Sequence, residues 1–284
     1  MKQTIKSSLF ITLLLGTAQP TAADNLVLHW RFDSPYEFGA IEPDASGQSV
    51  DGISTWARTR AGGGLRYAPG QGVLGGAGLL WQGEPDAHHG VRGSMRSLTT
   101  MKLGEQWTVS LWVKPSRNVD RYEDILSFVQ RKENEWVSLF SLGQHGGRLR
   151  ANFNLEGKSK TYQFFGTDTR LSADQWSHLL FVCGREEMRF YLNGEKASQA
   201  TTTQWDPKAK FFVRLSGRTG GPHNRLYGLY DDLRIYDGSL GPDQVAHLAN
   251  PQSDFYKNEK LPPVADGGLG YTAWLKEGGG SGPT

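Results

Sequence analysis

The chain has 284 residues and a formal net charge of +2, and Lys2 and Lys6 alone supply that excess. Without those two lysines the chain is formally neutral, so it has no bulk electrostatic drive toward nucleic acid or anionic lipid. A single cysteine, Cys183, excludes an intrachain disulfide, and the 36 glycines and 9 tryptophans point away from helices and toward β structure.

Lys2 and Lys6 precede a short apolar run, "LFITLLLGTA", which is followed by "TAA" and Asp24. A charged start, an apolar stretch too short to span a bilayer and a small-residue site together predict an export signal over 1–23. No later segment is apolar and long enough for a membrane span, so the expected home is secreted, periplasmic or extracellular.

From Asn25 onward, short runs bounded by Gly, Pro, Asn and Asp read as strands. They are "NLVLHWRFD", "GLLWQG", "WTVSLWVKP", "DILSFVQ", "WVSLFSLG", "RLRANFN", "TYQFFG", "WSHLLFVC", "MRFYLNGEKAS", "FFVRLSG" and "GLYDDLRIYD". In the third, Trp107, Val109, Leu111 and Val113 share one face, with Thr108, Ser110 and Trp112 on the other. Asn193-Gly194 marks a hairpin, because a type I′ turn needs positive φ at both central residues. Cys183, inside an apolar run, reads as a small buried hydrophobe. One helix is expected, with Gly241 as N-cap, Pro242 and Asp243 in the first turn and "QVAHLA" after them. Beyond residue 250 the alternation stops. About a dozen strands with frequent turns predict an all-β, two-sheet antiparallel sandwich over 24–250, with 251–284 as a tail or flexible linker.

Four pieces in order, "LHWRFD…DASGQSVDG", "WTVSLWVKP", "WSHLLFVCG…MRFYLNGEKAS" and "YGLYDDLRIYDGSLGPDQVAHLA", resemble the laminin-G-like, concanavalin-A-type jelly-roll domains of secreted bacterial proteins. The resemblance implies two stacked antiparallel sheets with the first and last strands close together. It also implies a carbohydrate or protein ligand and, in many members, a calcium ion. The chain departs from the pattern at Gln82-Gly83, where the family often has Asp-Gly, and in the insertion "EPDAHHGVRGSMRSL".

Strand interiors disfavour Asp, so the adjacent Asp231 and Asp232 need a reason. Calcium takes six to eight oxygens from carboxylates, carbonyls and water. Asp33, Asp44, Asp51, Asp231 and Asp232 could supply some of them if the chain ends meet. The alternative makes Asp44 and Asp51 turn-capping residues and pairs Asp232 with Arg234. The spacing fits no EF-hand. His88, His89 and His223 show no transition-metal ligand spacing.

No catalytic motif is present. Glu133 and Glu135 would share a strand face if "RKENEW" were extended, but no supporting residues accompany them. The Gly runs "AGGGLRYAPGQGVLGG" precede no helix, as a phosphate cradle would require. The local basic patches "RKENEWV" and "GGRLRAN" read as solvated strand edges or turns. Sugar rings stack on flat aromatic side chains, and Trp56, Tyr67, Trp112, Tyr122, Trp136 and Trp205 fall on loops or opposite the core face. Trp107 and Trp176 are expected inside. The leading expectation is a non-enzymatic module that binds carbohydrate or another surface ligand. A polysaccharide-degrading enzyme or an adhesion spacer on the same fold are the alternatives.

Overall fold

The computed structural model describes residues 25–33, 41–55, 64–82, 94–118, 122–133, 135–145, 148–154, 162–166, 170–201, 205–216 and 225–258. The expected signal segment, Trp56, His88, His89 and His223 lie outside these residues.

In chain order the strands are β1 (Leu26–Trp30), β2 (Ile41–Glu42), β3 (Gly52–Thr55), β4 (Gly64–Ala68), β5 (Gly78–Gln82), β6 (Ser94–Ser97), β7 (Trp107–Pro115) and β8 (Glu123–Lys132). They continue as β9 (Glu135–His145), β10 (Arg148–Asn154), β11 (Tyr162–Gly166), β12 (Ser177–Cys183), β13 (Glu187–Leu192), β14 (Glu195–Thr201), β15 (Phe212–Leu215) and β16 (Gly228–Tyr236). Two short helices follow, α1 (Pro242–Leu248) and α2 (Asp254–Asn258). One sheet runs β14-β13-β12-β7-β16-β5-β4, with β1 also beside β16. The other runs β11-β10-β9-β8-β15-β6-β3-β2. This is the expected antiparallel sandwich, and the first and last strands are neighbours, with His29 opposite Arg234 and Trp30 opposite Leu233.

The core forms where the alternating apolar faces meet. Trp107, Val109, Leu111 and Val113 all point into it and are fully buried. Trp107 stands at its centre, with ring centroids 4.9 Å from Phe140, 5.2 Å from Phe128 and 5.4 Å from Phe181. Truncating such a residue to Ala costs about 3–5 kcal/mol. Cys183 is buried in the same core. Trp176 is instead half-buried against Ala68, Leu80 and Leu229, outside the main core.

Asn193 and Gly194 have φ of 51° and 84°, as the turn between β13 and β14 requires. Helix α1 begins at Pro242 behind Gly241, whose N–H donates to Gln244 Oε1 at 2.9 Å. Its Val245 and Leu248 pack on Leu180, Val182, Tyr191 and Tyr236, covering part of the first sheet's outer face. The sandwich does not stop at residue 250: α2 follows and lays Phe255 against the same patch. Sequence alternation could not show this, because the segment docks by two aromatic side chains and not by a continuous apolar stripe. Among the described residues no helix is long and apolar enough to cross a membrane.

Candidate functional site

The paired aspartates of β16 sit at a bulge. Asp231 pairs with Trp112 and Arg234 with Ser110, so the register slips between them. Asp232 takes φ of 48°, a left-handed conformation that Asp tolerates better than most residues. Its own N–H donates to Asp231 Oδ1 at 2.8 Å, which holds the bulge locally.

The bulge brings the Asp232 carboxylate to the first sheet's outer face. Arg234 Nε donates to both of its oxygens at 2.9 and 3.0 Å. His29 Nε2 lies 2.8 Å from Oδ1 and the Tyr256 hydroxyl 3.1 Å from Oδ2. The Arg234 guanidinium is covered by the rings of Phe255 at 5.1 Å and Tyr256 at 5.2 Å. Burial pushes the Asp232 carboxyl up, but Arg234 and His29 outweigh it and hold it well below the usual carboxylate range. Trp112 Nε1 donates to Tyr256 Oη at 3.4 Å, tying β7 to α2.

Beside this network lies a second acidic group. The Gly-rich loop between β4 and β5 closes over it, with Val73 N–H donating to Asp231 Oδ2 at 2.7 Å and Ala77 N–H to Asp33 Oδ1 at 3.2 Å. Two glycines make this approach possible: a Cβ on Gly76 would overlap Asp33 Oδ1, and one on Gly72 would stand 2.8 Å from Asp231 Oδ2. Asp33 also pairs with Arg31 at 2.7 Å. Glu42 accepts from Phe32 N–H at 2.9 Å through Oε1, while its buried Oε2 has no hydrogen-bond partner among the described residues. Burial pushes the carboxyls of Asp231 and Glu42 each up to about 8, with neighbouring acids adding to the effect. His29, Arg31, Asp33, Asp231, Arg234 and Tyr256 border a cavity of about 260 Å³ here.

The five expected metal ligands therefore separate. Asp44 accepts from the N–H groups of His29, Ser46 and Val50 at 2.9–3.0 Å and from Ser46 Oγ–H at 2.8 Å. Asp51 Oδ1 accepts Asp44 N–H at 2.9 Å. Both pin the 44–51 loop, which is the turn-capping alternative. A carboxylate offers about four lone-pair sites, and Asp44 and Asp232 have theirs filled by protein donors. Asp33 and Asp231 remain together. Among the described residues no three His, Cys, Asp or Glu side chains form a ready metal cage.

The aromatic candidates divide as well. Trp112 is buried, 5.0 Å from the His178 ring, and so is not a ligand surface. Trp205 packs on the core, 5.3 Å from Trp107 and 5.7 Å from Phe211, with Nε1 donating to Leu103 O at 3.4 Å. Both are corrections with one cause: alternation tells which face a residue takes, not what covers that face. Tyr67 belongs to β4, and its side chain lies outside the described residues. Glu133 sits in the β8–β9 turn at φ of 51°, so it shares no strand face with Glu135.

Tyr122 and Trp136 instead lie on the outer face of the second sheet, with separate partners. There one row of cross-strand partners runs Arg96 (β6), Arg214 (β15), Ser127 (β8), Ser141 (β9), Asn152 (β10). The Tyr122 hydroxyl donates to Asp124 Oδ1 at 2.7 Å, and Asn152 Nδ2 donates to Ser141 Oγ at 3.2 Å. Trp136 stands 5.6 Å from Phe212, with the Arg96 guanidinium 5.3 Å from its ring centroid.

The family model described as the concanavalin A-like lectin/glucanases superfamily matches residues 91–246. The chain belongs to this superfamily. Among curated proteins no sequence matches it. Domain 4 of AbnA, a GH43 extracellular arabinanase from Geobacillus stearothermophilus solved in complex with arabinotriose, is 26% identical, with a TM-score of 0.59 over 80% of this chain and 98% of that domain. The binding domain of botulinum neurotoxin DC, solved in complex with rat synaptotagmin II, is 13% identical with a TM-score of 0.58, covering 81% of this chain and 52% of that one. A botulinum neurotoxin type C structure, from work on cell entry dependent upon two ganglioside molecules, gives 14% identity and 0.59 over 81% and 51%. This chain thus spans about half of each toxin chain, and at those identities the likeness is one of fold.

In this concanavalin A-like domain, sequence reasoning missed His29, Glu42, Arg96, Arg214 and Tyr256. The first two had only proximity to Asp33 to mark them. The arginines lie on strands far apart in sequence, and nothing short of the sheet order aligns them.

Proposed function

We propose that this chain is an exported, non-catalytic recognition module that binds carbohydrate on the outer face of its second sheet, and that a calcium ion braces the Asp33–Asp231 end. The observation that carries the carbohydrate reading is the half-buried Trp136 ring beside Phe212 and the Arg96 guanidinium on the outer face of the second sheet. A flat aromatic surface next to a hydrogen-bonding group is the chemistry that recognises a sugar ring. The likeness to an arabinanase domain solved with arabinotriose supports it.

Calcium is supported by Glu42 Oε2, buried without a hydrogen-bond partner among the described residues, and by two carboxyls whose burial disfavours their charge. Asp33 and Asp231 would hold the ion together with backbone carbonyls. Bound, it would supply the positive charge that lets those acids ionise in place. The charged, then apolar, then small-residue pattern of 1–23 supports export; amino-terminal sequencing of secreted protein should start at Asp24.

A glycan array read with wild-type protein and Trp136→Ala tests the recognition site. Binding by the wild type, lost in a variant with unchanged circular dichroism and melting, is the expected result. Equal binding by both proteins would place the ligand elsewhere. Release of reducing ends from the bound polysaccharide would replace the module reading with an enzyme.

A further inference from the structure

One end of the β8–β9 hairpin reaches past the strands on either side of it. On one side β15 pairs with β8 from Leu215↔Leu126 only as far as Phe212↔Val129. On the other side β10 pairs with β9 from Arg148↔His145 only as far as Phe153↔Phe140. Beyond those points the described pairings join β8 and β9 to each other alone, through Gln130↔Val137, Arg131↔Trp136 and Lys132↔Glu135. A two-stranded ribbon on its own is marginally stable in water. Trp136 therefore stands on the part of the sheet that neighbouring strands hold least.

Two side chains reach it from the body of the sheet. Phe212 of β15 meets the Trp136 ring at 5.6 Å, with the ring planes at 74°. The Arg96 guanidinium, from β6, stands 4.6 Å from the Phe212 centroid and 5.3 Å from that of Trp136. Strands β6 and β9 are separated by β15 and β8, which makes three strand spacings, or about 14 Å. Side chains rooted that far apart meet only by running along the sheet surface toward each other. A third tie is the Gln130 side chain, whose Nε2 donates to Lys210 O at 3.2 Å.

The rings are what Arg96 has to hold. Arg96 is half-buried, and its Nε meets no hydrogen-bond acceptor among the described residues. Burial pushes its guanidinium down, and the cation of Arg131 adds to the effect. Aromatic faces offset such a cost, because a guanidinium stacks on them through both its charge and its plane.

We infer that Arg96 is a positioning residue for the ligand platform: stacked on Phe212 and Trp136, it fixes the indole of a loosely held ribbon before a sugar ring takes the face that Arg96 leaves open. This rests on the carbohydrate reading above and adds what keeps that site in shape. A side chain ordered in advance spares the ligand the cost of ordering it. Arg96 acts through the ring and does not touch the ligand, so its effect is insensitive to salt.

Binding isotherms with arabinan, xylan and dextran should be measured for the wild type, Arg96→Gln, Arg96→Lys and Trp136→Ala. Acrylamide quenching of Trp136 in ligand-free protein should be read alongside, as the difference between each chain and the same chain carrying Trp136→Phe. Trp136→Ala should abolish binding. Arg96→Gln should weaken it by about threefold to tenfold, with melting unchanged or raised, and Arg96→Lys should fall between. The Trp136 component should be quenched more readily in Arg96→Gln than in the wild type, a change that a role in stability alone would not produce. Weaker binding by Arg96→Gln with unchanged quenching would mean that the arginine touches the ligand itself, and would overturn the inference. So would an Arg96 effect that disappears in about 0.5 M sodium chloride. If Trp136→Ala loses binding while Arg96→Gln matches the wild type in affinity and quenching, the inference falls and the carbohydrate reading stands. Binding unaffected by Trp136→Ala, or binding to none of the three polysaccharides, would overturn both.

Discussion

His29 Nε2 and Asp232 Oδ1 lie 2.8 Å apart and 203 residues apart in sequence, in a site where each is 1% exposed. Their contact joins the first strand of the sandwich to the last, and Arg234 completes it from below. Removing one member of a buried ion pair leaves the other charge stranded, at a cost of about 3–5 kcal/mol. Asp232→Asn should therefore lower stability by that order in urea titrations. Adding Arg234→Met should recover part of the loss, because the stranded cation is gone. A single variant as stable as the wild type would show that the network is not a brace.

Acid should weaken the fold through His178. Burial pushes its ring down to about 3, and Ser110 Oγ lies 2.8 Å from its Nε2. Unfolded, the ring takes a proton near pH 6.5. Between about 6.5 and 3 the unfolded state binds the extra proton, so this contribution is complete above about 6.5 and is lost as pH falls, with a limiting slope of about 1.4 kcal/mol per unit. His178→Gln should flatten the stability profile between about pH 6 and 4, as read by chemical denaturation at stepped pH.

Calcium should raise the melting temperature. An ion that binds only the folded state adds about 2.7 kcal/mol at a hundredfold excess over its dissociation constant. The shift should vanish in Asp231→Asn and persist in Asp51→Asn, because Asp51 acts within the 44–51 loop. No shift in the wild type at millimolar calcium would remove the ion from the proposal.

Tryptophans that look alike in sequence should behave in opposite ways. Trp205→Ala should cost about 3 kcal/mol, because it opens a gap beside Trp107 and Phe211. Trp136→Ala should leave unfolding within about 0.5 kcal/mol of the wild type and lower ligand affinity. Paired thermal melts and binding isotherms separate the two roles.

Helix α2 should be part of the folding unit. Tyr256 Oη lies 2.7 Å from Leu248 O and 3.1 Å from Asp232 Oδ2. A chain ending at Asn250 would uncover Arg234 and should melt lower. Tyr256→Phe should show a smaller loss of about 1 kcal/mol.

The sheets themselves were legible in the sequence. The period-2 pattern of β7 assigned all four core residues, and Asn193-Gly194 marked its hairpin, because both signals are local. Strands β2, β3, β4 and β6 were not, being short and flanked by Gly-rich or polar residues. Asp33 and Asp231 line one cavity, and the resemblance supplied the chain topology that brings the two ends together. Tyr256, Glu42 and the Arg96–Arg214 pair had no local signal at all. Their significance is lateral, set by sheet order or helix docking, and a one-dimensional pattern does not carry it. Trp112 failed for the reverse reason: its face was read correctly, but the helical residues that cover it come from beyond the assigned domain edge.

Strand β16 borders β7 along one edge and both β1 and β5 along the other. A nascent chain that has been made only as far as β14 holds two separate fragments of the first sheet and an unattached amino-terminal strand. No local rearrangement can join them before residue 236 emerges. Folding must then wait for nearly the whole length to be synthesised, which favours slow, late closure. Any truncated product lacking residues 228–284, about the last fifth of the polypeptide, would expose three unsatisfied strand edges at once, and such edges recruit other chains.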